Sequence, residues 1–248
     1  MQPTLVKVSG HELDDPAYLA DFAAAIKSLN TPTVVVHGGG AEITAMQKVM
    51  GIEPRYLDGV RITDRDSLRI AEMVMSGSVN KRLVRCLLNA GIDALGLSGV
   101  DRGLVRARQM QVAGHDMGFT GEVVSVRGEV VLSLLEQGIT PVISPVSLGE
   151  ETNFNVNADH VAGALAAAIN AGRVVFLTNV EGVLVNDKVV PTLSPEQTQK
   201  LIDDGTIFGG MIPKVKTALH ALETGVHSAV ITNLKGLASN GGTVFASQ

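Results

Sequence analysis

The sequence predicts an α/β protein built on a mainly parallel sheet covered on both faces. Strand and helix signals alternate along the 248 residues, the pattern of βα units packed in layers. The sharpest pair is TVVVHGGGAEITAMQKVM. Its apolar β-formers Val34 to Val36, after Thr33, read as a buried parallel strand. Ile43, Met46 and Met50 then recur at helical spacing. Gly38, Gly39 and Gly40 therefore lie between the carboxyl end of a strand and the amino end of a helix. Lacking Cβ atoms, they let backbone N–H groups approach an anion where the helix dipole favours negative charge. Tight-turn chemistry is the competing explanation. Neither G-x-G-x-x-G nor G-x-x-x-x-G-K-[ST] is present at this turn.

The elements follow in order. Thr4–Val8 reads as the first strand, and a helix is expected near Pro16–Leu29. Strand 33–37 and helix 41–50 come next, and residues 65–90 form one or two helices ending at Gly91. Ala94–Leu97 is a short strand. Between 103 and 131 the alternation of LVRARQMQV and EVVSVRGEVV predicts hairpins. A helix near 131–137 leads into strand 139–144, and a second follows Asp159 before strand 173–178. GVLVNDKVVP predicts a hairpin turning at Asn186-Asp187. Helices near 195–203 and 213–224 and strands 228–232 and 243–246 complete the chain. No repeat or linker divides it; a boundary near residue 172 is a topological expectation.

Composition narrows the function. A net charge of −5 argues against a duplex nucleic-acid binder. No apolar run approaches the roughly 18 residues that span a bilayer, and MQPTLVKVSG shows no signal-peptide core. The expected compartment is the cytoplasm. The single cysteine, Cys86, sits beside Leu83 and Leu87 and is expected to be a packed core thiol.

Four further places set a polar side chain beside a turn. In VKVSG, Lys7 lies inside an apolar strand, followed by Ser9 and Gly10. Buried and unpaired it would cost several kcal/mol, so it either reaches solvent or meets an anion at the sheet edge. In DGVRITD, Arg61 offers a bidentate fork to a carboxylate or pairs with Asp58 or Asp64. In NFNVNAD, capping accounts for one of Asn155, Asn157 and Asp159 ahead of a very apolar helix, not for all three. In GTIFGGMIPKVK, Gly209 and Gly210 precede Pro213, read as a first helical residue. Lys214 in a first turn opposes the dipole unless an anion is present. Histidines 37, 115, 160, 220 and 227 lack metal-site spacing and are expected to be structural or solvated. Cations and glycine turns without a nucleophile suit phosphoryl transfer, where positioning and charge neutralisation dominate.

VKVSG, VVVHGGGAEI, GVRITD, NFNVNAD, TNVEGV, GGMIPKV and GGTVF occur in this order. The chain thereby resembles the amino-acid kinases over essentially its whole length, and within them the branch acting on N-acetylglutamate, with GVRITD and NVNAD the most specific parts. The resemblance implies a three-layer αβα sandwich of the carbamate-kinase-like type, with a central mainly parallel open sheet. It implies a substrate-binding and dimerising lobe over 1–172, an ATP lobe over 173–248, and a homodimer. The reaction implied is ATP-dependent phosphorylation of the γ-carboxylate of N-acetyl-L-glutamate in arginine synthesis, with Mg²⁺ carried by the nucleotide phosphates and no protein metal ligand.

By motif, Lys7 and Lys214 would flank the transferred phosphoryl group, with Asp159 orienting both. Gly39 and Gly40 would offer N–H groups, while Arg61 and Asn155 would hold the acyl substrate. Gly10, Asn179, Gly182, Leu184, Phe208 and Gly210 would line the nucleotide site. Two positions depart from the pattern: Ser9 replaces a usual Gly, and Asn179 a common Asp. With no amino-terminal helix like that of arginine-inhibited hexameric relatives ahead of the first strand, a dimer with weak or no arginine feedback is expected. Two other readings stand beside this one. The first is a kinase for carrier-protein-bound aminoadipate or glutamate, for which Arg82/Arg85 or Arg102/Arg106/Arg108 would supply a basic patch. The second is a catalytically inactive nucleotide-binding regulatory module, against which Lys7, Asp159 and Lys214 together argue.

Overall fold

The computed structural model describes residues 2–10 and 12–246. Strand β1 (Thr4–Val8) leads to helix α1 (Pro16–Ser28), β2 (Thr33–His37) and α2 (Gly40–Val49). A small hairpin, β3 (Arg55–Leu57) and β4 (Val60–Ile62), precedes α3 (Arg65–Ala71), which runs through a π-helical segment (Glu72–Val79) into α4 (Asn80–Asn89). Then come β5 (Ala94–Ser98), β6 (Val105–Gln109), β7 (Thr120–Val126), α5 (Gly128–Glu136), β8 (Thr140–Ser144), β9 (Val146–Leu148) and β10 (Asn153–Val156). Helix α6 (Ala158–Ala168) and β11 (Arg173–Leu177) lead to the hairpin β12 (Leu184–Val185) and β13 (Lys188–Val189). The last elements are β14 (Thr192–Leu193), α7 (Pro195–Asp203), α8 (Met211–Glu223), β15 (Ala229–Thr232), α9 (Leu234–Ser239) and β16 (Thr243–Phe245).

The main sheet has eight strands in the order β14-β16-β15-β11-β1-β2-β8-β5. Every neighbouring pair is parallel except β15 and β16. Alternation of side chains along the central strands explains why both faces are covered. Leu5, Val34, Val36, Val174 and Phe176 join one core cluster with Val161 and Leu165 of α6 and Val215 of α8. Val6, Val8, Val35, Val175 and Leu177 join the other with Phe22 of α1, Ile43 of α2 and Leu83 of α4. Burying each such side chain contributes roughly 1.5–3 kcal/mol. Strands β10, β7, β6 and β9 close a small barrel beside the sheet.

The sheet has its switch point at β1. Strands up to residue 144 build outward on one side, and those from residue 173 on the other. Loops leaving the carboxyl ends of β1, β2 and β11 therefore border a common crevice, where open α/β sheets bind ligands.

The second hairpin expected in 103–131 is absent. Residues 105–126 do form one hairpin, but GEVVLSLLE is α5. Its Val130, Val131, Leu134 and Leu135 repeat at helical spacing, and Val130 and Val131 pack beneath β8. Helix α8 begins at Met211, so Pro213 is its third residue rather than its first. Proline is tolerated there because first-turn N–H groups lack intrahelical acceptors. Cys86 is half-buried on α4 and donates its thiol to the Leu19 carbonyl. The Asn186-Asp187 turn matches expectation: both residues have positive φ, as a tight hairpin requires.

A titratable ring lies wholly inside the fold. His37, at the end of β2, is fully buried, and burial lowers its pKa from 6.5 to about 4. A neutral folded imidazole and a protonated unfolded one make this contribution complete above pH 6.5 and lost as pH falls towards 4. Urea unfolding at pH 7.5 and 4.5 should show ~2–3 kcal/mol of the difference disappear in His37→Asn.

Candidate active site

Lys7 occupies the last turn-facing position of β1, and its burial is resolved by pairing. Its Nζ lies 2.8 Å from Asp159 Oδ1, with the two side chains 13% and 26% exposed. Asp159 is presented at the start of α6, whose cap is Asn157; the Asn157 side chain accepts from the Asp159 N–H at 2.8 Å. The same ammonium donates to Ser9 Oγ at 3.2 Å, and Ser9 donates onward to the Leu177 carbonyl at 3.4 Å. Ser9 thus ties β1 to β11 at their carboxyl ends.

A cleft of about 440 Å³ opens over this junction, lined among others by Lys7, Ser9, Asp159, Asn179, Lys214 and Thr217. Lys214 enters from the first turns of α8 and donates to the Gly210 carbonyl at 3.1 Å. Two ammonium groups, Lys7 on the switch-point strand β1 and Lys214 on α8, meet at this cleft and form a receptor for an anion. Glu12 and Tyr18 also line the cleft. Burial, reinforced by Glu12, pushes the Tyr18 phenol up to about 12, so it stays a hydroxyl donor.

The triple glycine sits beside Lys7 for a steric reason. A Cβ on Gly10 would meet Gly39 Cα and N at 2.8 Å, and a Cβ on Gly39 would meet Met75 Cγ at 3.0 Å. The two turns therefore pack backbone against backbone. Gly38 donates to the Val8 carbonyl at 3.0 Å, and Gly39 caps α2 with no side chain of its own. A Cβ on Gly40 would meet nothing within 4 Å.

Arg61 lies on β4 and pairs with neither Asp58 nor Asp64; Asp64 instead faces Arg55 at 3.8 Å. Its guanidinium donates to Gln47 Oε1, to the Gly40 carbonyl at 3.0 Å and to Thr44 Oγ1 at 2.8 Å, and lies 4.9 Å over the Tyr56 ring. Partial burial draws its pKa below the usual arginine value. Asn155 donates to Thr63 Oγ1 at 3.0 Å, and Thr120 Oγ1 donates to that same hydroxyl. Arg61 is thus joined to the glycine turn through Gly40, and Asn155 to the neighbouring barrel.

Of the sequence candidates, Lys7, Asp159, Asn179 and Lys214 line the cleft; Gly10, Gly39, Gly40, Arg61 and Asn155 do not, and neither do the four that remain. Gly182 has φ 153°, and a Cβ there would meet Thr243 Oγ1 at 2.7 Å. Leu184 and Phe208 are solvent-exposed, and Gly210 caps α8. Sequence reasoning missed Glu12, Tyr18, Thr178 and Thr217 in the cleft. Thr217, one helical turn beyond Lys214, carried a spacing signal; Glu12 and Tyr18 carried none, because only the fold brings α1 back over β1. No group of three His, Cys, Asp or Glu arranged to hold a metal occurs among the described residues. No helix among them is long and apolar enough to cross a membrane.

A family model described as the amino acid kinase family matches residues 2–233. The chain belongs to the amino acid kinase family. Among relatives, it is similar to the acetylglutamate kinase of Roseiflexus sp. (strain RS-1), 50% identical over 98% of this chain and 94% of that one. The acetylglutamate kinase of Chloroflexus aurantiacus is 48% identical over 98% and 96%. The fold of this amino acid kinase also matches a solved carbamate kinase from Giardia lamblia bound to AMP-PNP. That likeness has a TM-score of 0.72 at 15% identity and covers 100% of this chain and 99% of the other.

The Gly10–Gly39 contact generates a prediction. Gly10→Ala should lower kcat at least tenfold and destabilise the fold by about 1–3 kcal/mol, because the added methyl meets backbone rather than a movable side chain. Steady-state kinetics and urea unfolding of the purified variant check both.

Proposed function

We propose that this amino acid kinase transfers the γ-phosphoryl group of ATP to the γ-carboxylate of N-acetyl-L-glutamate, yielding N-acetylglutamyl 5-phosphate and ADP in arginine biosynthesis. The observation that carries the chemistry is the convergence of Lys7, Asp159 and Lys214 on one cleft whose lining includes no cysteine and no histidine to activate a hydroxyl. The similarity to acetylglutamate kinases selects the acceptor.

The γ-carboxylate is already ionised at neutral pH, so no general base is needed. One carboxylate oxygen forms a bond to Pγ while the bond from Pγ to the β,γ-bridging oxygen breaks. ADP leaves with that electron pair, and no proton moves. Lys7 and Lys214 neutralise charge on the γ- and bridging oxygens, where such stabilisation is worth most. Asp159 holds the Lys7 ammonium in place. The Gly39 and Gly40 N–H groups face the phosphoryl oxygens. Arg61 grips the carboxylate that does not react: three of its five donors are engaged by the protein, leaving two for substrate. Asn155 takes a second polar group of the acyl substrate.

The ATP phosphates, carrying Mg²⁺, would sit in the cleft between the two ammonium groups and beside Asn179, with the rest of the nucleotide extending beyond the cleft lining towards Gly182, Leu184, Phe208 and Gly210. On this reading residues 1–172 hold the acyl substrate and residues 173–248 the nucleotide. A cytoplasmic homodimer through the first part is supported by exposed Leu88 on α4 and Leu95 on the open edge strand β5.

Acylphosphate trapping by hydroxylamine should give ATP-dependent product with N-acetylglutamate and far less with glutamate, aspartate or UMP; no signal with N-acetylglutamate would sink the proposal. In the same assay Lys214→Ala should lower kcat by about 10²–10³-fold, and undiminished turnover would remove its transition-state role. Arg61→Ala should raise KM for N-acetylglutamate at least tenfold while KM for ATP changes little.

A further inference from the structure

We propose that His37 is a positioning residue for phosphoryl transfer: it holds the Gly38 carbonyl inward, so that the Gly39 amide N–H is aimed at the reaction centre. The inference rests on the functional reading above, which places that N–H at the transferred group.

His37 does not border the cleft; it is fully buried behind the glycine turn. Its Nδ1 lies 2.9 Å from the Gly38 carbonyl oxygen, and its Nε2 lies 3.1 Å from Asn80 Nδ2. A carbonyl can only accept, so Nδ1 must carry the proton. The other side agrees. Asn80, also fully buried, turns its amide nitrogen toward the Val142 carbonyl at 2.9 Å and the Leu97 carbonyl at 3.3 Å. Its oxygen accepts from Lys81 Nζ at 3.0 Å. The orientation of the amide is thus fixed by three partners other than His37; its two hydrogens are shared among three acceptors, and because an amide nitrogen cannot accept, the Nε2 that faces it is the bare nitrogen. Burial keeps the ring neutral, as one bare nitrogen and one protonated nitrogen require.

The consequence for the turn is geometric. In a trans peptide the C=O and the following N–H point in opposite directions. A Gly38 carbonyl drawn inward onto His37 therefore sends the Gly39 N–H outward. Among the described residues neither the Gly39 nor the Gly40 N–H donates to a protein acceptor. Both donors are held ready and unspent. A clamp is needed because glycines flank this peptide on both sides, and glycine offers little steric resistance to rotating the peptide plane. Gly10 and Met75 confine the turn from either side but do not fix the direction of its carbonyl. His37 does.

Two variants separate the two ring nitrogens. Asn at position 37 presents a donor near the Nδ1 position, whereas Gln reaches the Nε2 position and leaves Gly38 without its clamp. His37→Asn should keep kcat within about threefold of the parent, and His37→Gln should lose tenfold or more, with KM for both substrates within twofold. Equal kcat in the two variants, intact or reduced, would overturn the proposal, since a role in stability alone would follow the melting temperature of each. A second measurement needs neither variant nor substrate. Nitrogen NMR of the imidazole in the unaltered protein should show His37 as the Nδ1–H tautomer that its hydrogen-bond partners require. The Nε2–H tautomer would contradict it. Turnover of N-acetylglutamate by the unaltered protein tests the functional reading separately, so failure of one is distinguishable from failure of the other.

Discussion

The ion pair between Lys7 and Asp159 is the contact on which the rest of the site depends. A lysine in the central strand of a sheet buried on both faces is tolerable only if its charge is met. The carboxylate that meets it comes from the first turn of α6, more than 150 residues away in sequence. The pair therefore fixes the carboxyl end of β1 against α6, and Ser9 extends the connection to β11 through the Leu177 carbonyl. Strands from the two ends of the chain meet at this junction, and the cleft opens directly over it.

Sterics supply the second constraint. Gly10 approaches Gly39 so closely that a side chain at position 10 would have to move the Gly39 backbone, while one at position 39 would press on the Met75 side chain. The glycines consequently serve two purposes: they allow contact between the turns after β1 and β2, and among the described residues they leave the Gly39 and Gly40 N–H groups without a protein acceptor. Arg61 is linked into the same unit through the Gly40 carbonyl. Cation, glycine turn and guanidinium are thus positioned by one continuous set of contacts rather than as separate features.

Much of this was legible in the sequence. The alternating βα pattern gave the sheet and both core faces, because strands buried on two sides must be continuously apolar, as TVVVH is. Lys7 and Lys214 were conspicuous for opposing their surroundings, one by burial and the other at a helix amino end. Asn157 is the single capping residue that the NFNVNAD segment needed, which left Asn155 and Asp159 for other work. What the residues alone left open was partnership. Arg61 had two acidic neighbours in sequence yet bonds to Gln47, Gly40 and Thr44, contacts set by the packing of the β3–β4 hairpin on α2. GEVV belongs to the alternating stretch expected to form hairpins, but the helical repeat of Val130, Val131, Leu134 and Leu135 prevails where β8 provides a surface to cover, so the helix expected near 131–137 begins at Gly128. His37 passed as structural from its sequence context; its bond to the Gly38 carbonyl is visible only in three dimensions.

The central claim is that Asp159 acts through Lys7. A double-mutant cycle on kcat with Lys7→Met, Asp159→Asn and the combined variant tests it most directly. The account predicts strong non-additivity: with Lys7 gone, removing the Asp159 charge should cost less than about threefold more. Effects that multiply, each substitution imposing its full loss whether or not the other is present, would contradict it.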